Sequence, residues 1–194
     1  MQKKSCLFVG MVGLAIVVVV GLVLVLSLWR TYNRLVVLDE NVNSAWAQVE
    51  TVLQRRYDLI PNLVNTVKGY AKQEAGVLTE VTRLRSQWSQ AKTPAQKAQA
   101  ATALEGALGR LMVVVERYPD LKSNQNFLAL QDELAGTENR VAVERRRYNE
   151  AVRAYNAAIR RFPANIVAGL FGFQRREAYF KAEQGAEKAP KVQF

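Results

Sequence analysis

The chain of 194 residues contains no histidine and a single cysteine. The first absence removes the side chain that most often acts as a general base near neutral pH, and with it the commonest metal ligand. A di-iron carboxylate site of the kind that helical bundles carry needs Glu-x-x-His on two inward faces and cannot be built. The lone cysteine, Cys6, excludes an intrachain disulfide and leaves the redox compartment unread. No nucleophile elbow, phosphate loop or zinc-ligand spacing occurs. Carboxylate pairs such as Asp132 with Glu133, or Glu138 with Glu144, read as solvated partners of nearby arginines. Catalysis is therefore the least favoured class, and neither a cofactor nor a metal is expected.

Charge is also missing, from Ser5 to Trp29. Within that interval Leu7 to Leu28 reads LFVGMVGLAIVVVVGLVLVLSL, and 16 of the 22 residues are Leu, Ile, Val or Phe. The length suits a helix crossing a hydrocarbon layer of ~30 Å. At roughly −0.3 to −0.6 kcal/mol per such residue, insertion is favoured by several kcal/mol. A cleaved signal peptide would have a shorter core and small residues at its cleavage site; here the run ends in LSLWRTYNR. Residues 1–29 are thus expected to be a transmembrane anchor. Lys3 and Lys4 on one side nearly balance Arg30 and Arg34 on the other, and the amino terminus tips the count towards N-inside, with the rest of the chain outside.

Beyond Trp29, strand signal is almost absent, and the chain reads as all-α, an antiparallel up-down bundle of about four long helices over 30–183. The first stripe, from Leu35 through Val42, Val49 and Leu53, continues the anchor with nothing between Leu28 and Leu35 to break a helix. Trp29 and Tyr32 then fall at the interface level, where amphipathic rings settle. Pro61 is expected to open a second helix capped by Asp58, because proline is tolerated in a first turn but not in an interior. Thr93 and Pro94 have the order of a helix start, and RYPDLKSN ends that third helix near Arg117. The fourth, capped by Ser123 or Asn124 and running to about Phe162, is the most regular: Phe127, Leu134, Val141, Tyr148, Tyr155 and Phe162 recur every seventh residue. That seam is the core-facing pattern of a left-handed bundle.

If the first helix leaves the bilayer and connections are short, the fourth returns to it. Pro163 stops the fourth helix, and Ile166, Val167, Leu170, Phe171 and Phe173 follow in an apolar segment, 163–173, too short to span. Arg160, Arg161, Arg175 and Arg176 flank it. Side chains in the acyl boundary with guanidinium groups on phosphates are what an interfacial segment needs. A cap on the end of the bundle and a docking face for a second subunit are the other two placements open to it. The tail 184–194, with Gly185, Pro190 and mixed charges, reads as disordered.

RRYDLIPNLVNTVKGYA in the second stretch, with YPDLKSNQNFLALQDELAGTENRVAVERRRYNEAVRAYNAAIRRFPANIVAGLFGF in the fourth, resembles the LemA family, and the likeness extends from about Tyr32 to Phe180. It implies a bacterial single-pass protein of the cell (inner) membrane with a helical-bundle domain. One departure stands out: after KGYA the family often carries a His-Glu pair, and here Gln73 and Glu74 occupy those places.

The 27 Lys and Arg against 17 Asp and Glu, a net +10, favour anionic partners. Arg145, Arg146, Arg147 and Arg153 interleave with Tyr148 and Tyr155, a combination suited to nucleic acid, but Glu138, Glu144 and Glu150 lie one helical turn away and can pair with them. Nucleic acid is therefore disfavoured. Asn62, Asn65, Gln131, Thr137, Asn139, Asn149 and Asn156 place polar groups along helix seams, to satisfy one another and the loops or to set register against a like subunit. The reading is a membrane-anchored scaffold or interaction module of the cell envelope with the lipid bilayer, an unidentified protein and a second copy of itself as partners. The alternative is a sensor of anionic lipid surfaces using residues 160–176.

Overall fold

A computed structural model gives the structure of the protein and describes residues 2–180, with side chains from Gly13 onward. The tail expected to be disordered, 184–194, lies outside the described residues. Every regular element described is helical: α1 (Gln2–Tyr70), a 3-10 turn (Lys72–Glu74), α2 (Ala75–Gln90), α3 (Pro94–Val115), α4 (Pro119–Lys122), α5 (Gln125–Ala158) and α6 (Ala164–Phe171). They pack as two compact units. Unit 1 joins the chain up to Val42 with Ala151–Arg176, and unit 2 joins Asn43–Glu150 with the chain from Glu177.

In unit 2, the sequence signals for α3 and α5 act as expected. Thr93 Oγ1 accepts from the Gln96 backbone N–H at 3.2 Å while Gln96 Oε1 accepts from that of Thr93 at 3.3 Å, a reciprocal cap with Pro94 as first helical residue. Asn124, not Ser123, caps α5, accepting from the Phe127 N–H at 3.0 Å, and its amide donates to the Tyr70 hydroxyl at 2.9 Å. Phe127, Leu134, Val141 and Tyr148 of the seven-residue seam are all buried. Buried beside them are Val49, Leu53 and Leu63 of α1, Val81 and Leu84 of α2, and Leu104 and Leu111 of α3. Each fully buried side chain of this kind contributes about 1.5–3 kcal/mol. Contacts order the helices: Glu50–Lys97 and Arg56–Glu105 rise together along α1 and α3, whereas Tyr70–Asn124, Arg55–Glu133 and Trp46–Tyr148 run in opposite directions along α1 and α5. Alternating directions follow from short connections.

The break after the first helix falls later than expected. Pro61 lies inside α1, which continues to Tyr70, and Asp58 caps nothing but accepts from Gln54 Nε2 at 2.7 Å. A proline at position 61 cannot donate to the carbonyl of Tyr57, four residues back. That carbonyl instead accepts from Arg85 Nε of α2 at 3.0 Å. The chain turns at Ala71, between Gly69 and Gly76, and Glu74 accepts from Arg117 Nη2 at 2.8 Å and from the Tyr118 hydroxyl at 3.3 Å. Glu74, the member of the pair after KGYA that keeps the family pattern, is thus a structural anchor. Arg85→Ala is expected to cost about 1–3 kcal/mol by leaving the Tyr57 carbonyl unserved. In a Pro61→Ala background, where residue 61 can donate, the cost should shrink. Thermal unfolding of the four proteins of this cycle measures the coupling, and equal costs in both backgrounds would dismiss the compensation.

Unit 2 also buries charge. Arg56 is 6% exposed. Its guanidinium pairs with Glu138 and lies 3.8 Å from Glu105 Oε1. Arg145 Nη1 donates to Glu105 Oε2 at 3.0 Å. Beside them the Tyr57 phenol has its pKa pushed up, first by burial and then by the Glu105 charge. It stays a neutral ring packed edge-on against Trp88 at 4.3 Å.

Candidate membrane-contact site

Unit 1 contains every residue that the sequence places at the interface. Its first part is α1 from Leu14 to Trp29, whose large apolar side chains are all exposed, Leu14 by 67% and Trp29 by 63%. A helix apolar around its whole circumference is either a core helix or a membrane span, and no described part of the protein covers this one. The stretch is long and apolar enough to cross a membrane. α3 passes the same test of length and composition, but Leu104, Ala107, Leu108 and Leu111 bury its face in unit 2, which marks a core helix.

α5 ends at Ala158, earlier than the seam suggests, because the chain leaves helical geometry in the turn before Pro163. Tyr155 remains buried on the seam, but Phe162, the expected next member, is 81% exposed. α6 follows. Gly172, at φ +75°, ends it in the left-handed conformation that glycine adopts without a Cβ penalty, and the Phe173 N–H turns back to the Ala168 carbonyl at 3.0 Å.

The eight residues of α6 are two-faced. Val167 and Ala168 are buried, whereas Ile166 is 49%, Leu170 74% and Phe171 63% exposed. Spacing alone leaves Val167 beside Leu170, three residues on, and it is burial that sets the two apart. Val167, expected among the lipid-facing side chains, is therefore an internal anchor. The Tyr32 ring receives Phe171 at a centroid distance of 4.8 Å and Phe173 at 5.8 Å. Tyr32 is three residues beyond Trp29, about 4.5 Å along the helix, so α6 is held beside the end of the apolar stretch.

The arginines divide as well. Arg176 is committed to protein: Nη2 and Nε donate to Asp39 Oδ1 at 2.9 and 3.3 Å, and its backbone exchanges two hydrogen bonds with the Asn156 amide, at 2.8 and 3.0 Å. It ties the segment to α1 and α5 within the unit. Arg160, Arg161 and Arg175 are exposed, and no salt bridge to them is present among the described residues. Tyr155, whose phenol pKa is raised by burial and then by the Asp39 charge, donates to the Gln174 carbonyl at 3.0 Å. Unit 1 carries nine Lys and Arg against two Asp and Glu; the rest of the chain carries eighteen against fifteen.

Tyr148 and Tyr155 are both core residues, so the basic and aromatic residues that invite a nucleic-acid reading share no common face: Arg145 is turned onto Glu105 and Arg147 pairs with Glu144 at 2.8 Å. Sequence reasoning named Asn149 and Asn156 without finding their task. Asn156 holds the backbone of Arg176 in unit 1, and in unit 2 Asn149 holds that of Phe180 through hydrogen bonds of 2.9 and 3.0 Å. Their seven-residue spacing is the signal that was available.

The LemA family profile matches residues 45–194. The chain belongs to the LemA family. Among curated relatives it is 28% identical over 187 residues to the magnetosome protein MamQ 2 of Paramagnetospirillum magneticum, covering 83% of this chain and 68% of that one. It is 28% identical over 198 residues to the magnetosome protein MamQ of Magnetospirillum gryphiswaldense, covering 89% and 73%. It is 23% identical over 137 residues to protein LemA of Metamycoplasma hominis, covering 70% and 63%. The LemA-family match begins beyond the apolar stretch and takes in α6 together with the segment that Asn149 and Asn156 hold. Membrane association of this LemA-family chain follows from that exposed apolar helix and agrees with these relatives.

Proposed function

We propose that the protein is a non-catalytic scaffold of the cell envelope, anchored by the apolar part of α1 with its amino terminus inside and unit 2 presented outside to protein partners. The observation that carries this reading is a groove of about 740 Å3 in unit 2 between α1 and α2. Its floor is apolar, with Val64, Ala75 and Leu78, and its rim carries Lys68 and Lys72, with Arg83 paired to Glu80 at 2.8 Å. An open apolar channel with a basic edge fits an acidic amphipathic helix of a partner protein better than it encloses a small substrate. The absence of histidine from the chain supports the non-catalytic reading. Self-association through helix faces belongs to the same proposal: size-exclusion chromatography with light scattering in mild detergent is expected to give a defined oligomer, and a monomer at every concentration would end it. A topology reporter after Phe194 checks the orientation.

A second reading, contact with an anionic lipid surface, is favoured by the seat of α6 against Tyr32. In vesicles containing the Cys6→Ser protein, a nitroxide at Leu170→Cys is expected to collide several-fold more with oxygen, relative to a polar relaxant, than one at Gln99→Cys. Equal ratios would place α6 in water and remove this reading.

A further inference from the structure

Unit 1 encloses a second hollow, about 390 Å3, between α1 and α5. The volume is within the range of ligand sites. Alanines at 154, 157 and 158 leave the space, and Leu38 and Phe162 give it apolar walls. Arg34 and Arg161 stand at it, and neither forms a salt bridge among the described residues. Thr31 also lines it, but its hydroxyl is spent on the Ser27 carbonyl at 2.8 Å. The charged side chains of the site are therefore two guanidinium groups, the side chains best suited to grip a phosphate through paired N–H donors.

The depth of the hollow names the occupant. Arg34 lies five residues past Trp29, roughly 7–8 Å along the helix. A bilayer's hydrocarbon core of ~30 Å sits inside a total of ~40–45 Å, so each headgroup layer is about 5–8 Å thick. With Trp29 at the edge of the hydrocarbon, Arg34 is at phosphate level and Leu38, one turn further along α1, is at the level of the outer headgroup. We propose that this hollow seats the headgroup of one anionic phospholipid of the adjoining leaflet, its phosphodiester held by Arg34 and Arg161, the rest of the headgroup lying against Leu38 and Ala154 and the acyl chains leaving towards Trp29. Nine basic against two acidic residues in the unit set the sign of the headgroup. The inference rests on α1 spanning the bilayer and is independent of whether α6 enters the lipid.

Native mass spectrometry of the full chain in mild detergent, titrated with phosphatidylglycerol or phosphatidylcholine, tests it. One phosphatidylglycerol is expected to be retained at about tenfold lower concentration than phosphatidylcholine. The Arg34→Gln/Arg161→Gln protein should lose that preference, and so should Ala154→Trp, which fills the hollow without touching charge. Arg110→Gln/Arg140→Gln, which removes the same charge from unit 2, should keep it. Equal retention of the two lipids by the parent, or an unchanged preference in both hollow variants, overturns the proposal. Full displacement of phosphatidylglycerol by millimolar inorganic phosphate would make the ligand a free anion and overturn it too. Vesicle flotation of the same protein separates the two failures: a chain that does not float refutes the span, and one that floats without lipid preference refutes the hollow alone.

Discussion

Glu105→Ala is expected to lower stability by about 3–5 kcal/mol, because it breaks a buried ion cluster in unit 2. Glu105 faces two guanidinium groups, Arg56 at 3.8 Å and Arg145 at 3.0 Å, and its side chain is 9% exposed. Removing it leaves Arg56, 6% exposed, with Glu138 as its remaining carboxylate and strands Arg145 beside a cavity. The loss comes from uncompensated buried charge and not from forfeited attraction, and this distinction is testable. Replacing all three members with apolar residues of like size, Arg56→Met, Glu105→Leu and Arg145→Met, should cost far less than Glu105→Ala alone, since an ion cluster and a packed apolar one are close in free energy. For a chain of this size 1 kcal/mol moves the melting temperature by about 2–4 °C, so the single variant should melt roughly 10 °C lower. Circular dichroism melts in one detergent decide the order. A triple variant less stable than the single one would show that the cluster itself, and not its breakage, supplies stability.

Arg145 also sits over the Phe180 ring at 4.8 Å, and Phe180 stacks on Trp46 at 5.9 Å. This shows where sequence reading ends. Signals that act within one turn were legible: Thr93 with Gln96, Asn124 with Phe127, and the seam from Phe127 to Tyr155. Those whose cause lies elsewhere in the chain were not. Pro61 reads as a helix start until Arg85, 24 residues on, is seen serving the carbonyl that proline abandons. Phe162 keeps the heptad spacing in sequence but lies beyond the helix that gives the spacing meaning. Among the interface residues, apolar composition identified α6, but only tertiary packing separates buried Val167 from exposed Ile166 and Leu170. The task of the two asparagines was hidden because they bind backbone atoms, which leave no trace in side-chain identity. Nothing near Arg176 in sequence marks Asp39 as its partner.

Asn156→Leu is expected to free the segment that carries Arg176. Asn156 is 6% exposed, donates to the Arg176 carbonyl at 2.8 Å and accepts from its N–H at 3.0 Å. Leucine fills similar space and serves neither group, and each buried backbone group left unserved costs about 1–3 kcal/mol. The cheapest response is local: the extended segment lifts from α5 while the helices stay folded. Two kcal/mol of lost protection corresponds to about 30-fold faster amide exchange, since 1.4 kcal/mol is a factor of ten in an equilibrium. Hydrogen exchange at Gln174–Arg176 should therefore accelerate by about 30-fold or more, with the amides of α3 unchanged. Phe173, three residues upstream, contacts Tyr32 at 5.8 Å, so the same substitution loosens the seat of α6. A nitroxide at residue 170 should then lose part of its oxygen exposure in vesicles. Unchanged exchange would mean that the ion pair with Asp39 and the Tyr155 hydrogen bond hold the segment without the asparagine. Faster exchange with unchanged oxygen exposure would mean that Val167 and Ala168, both buried, seat α6 on their own.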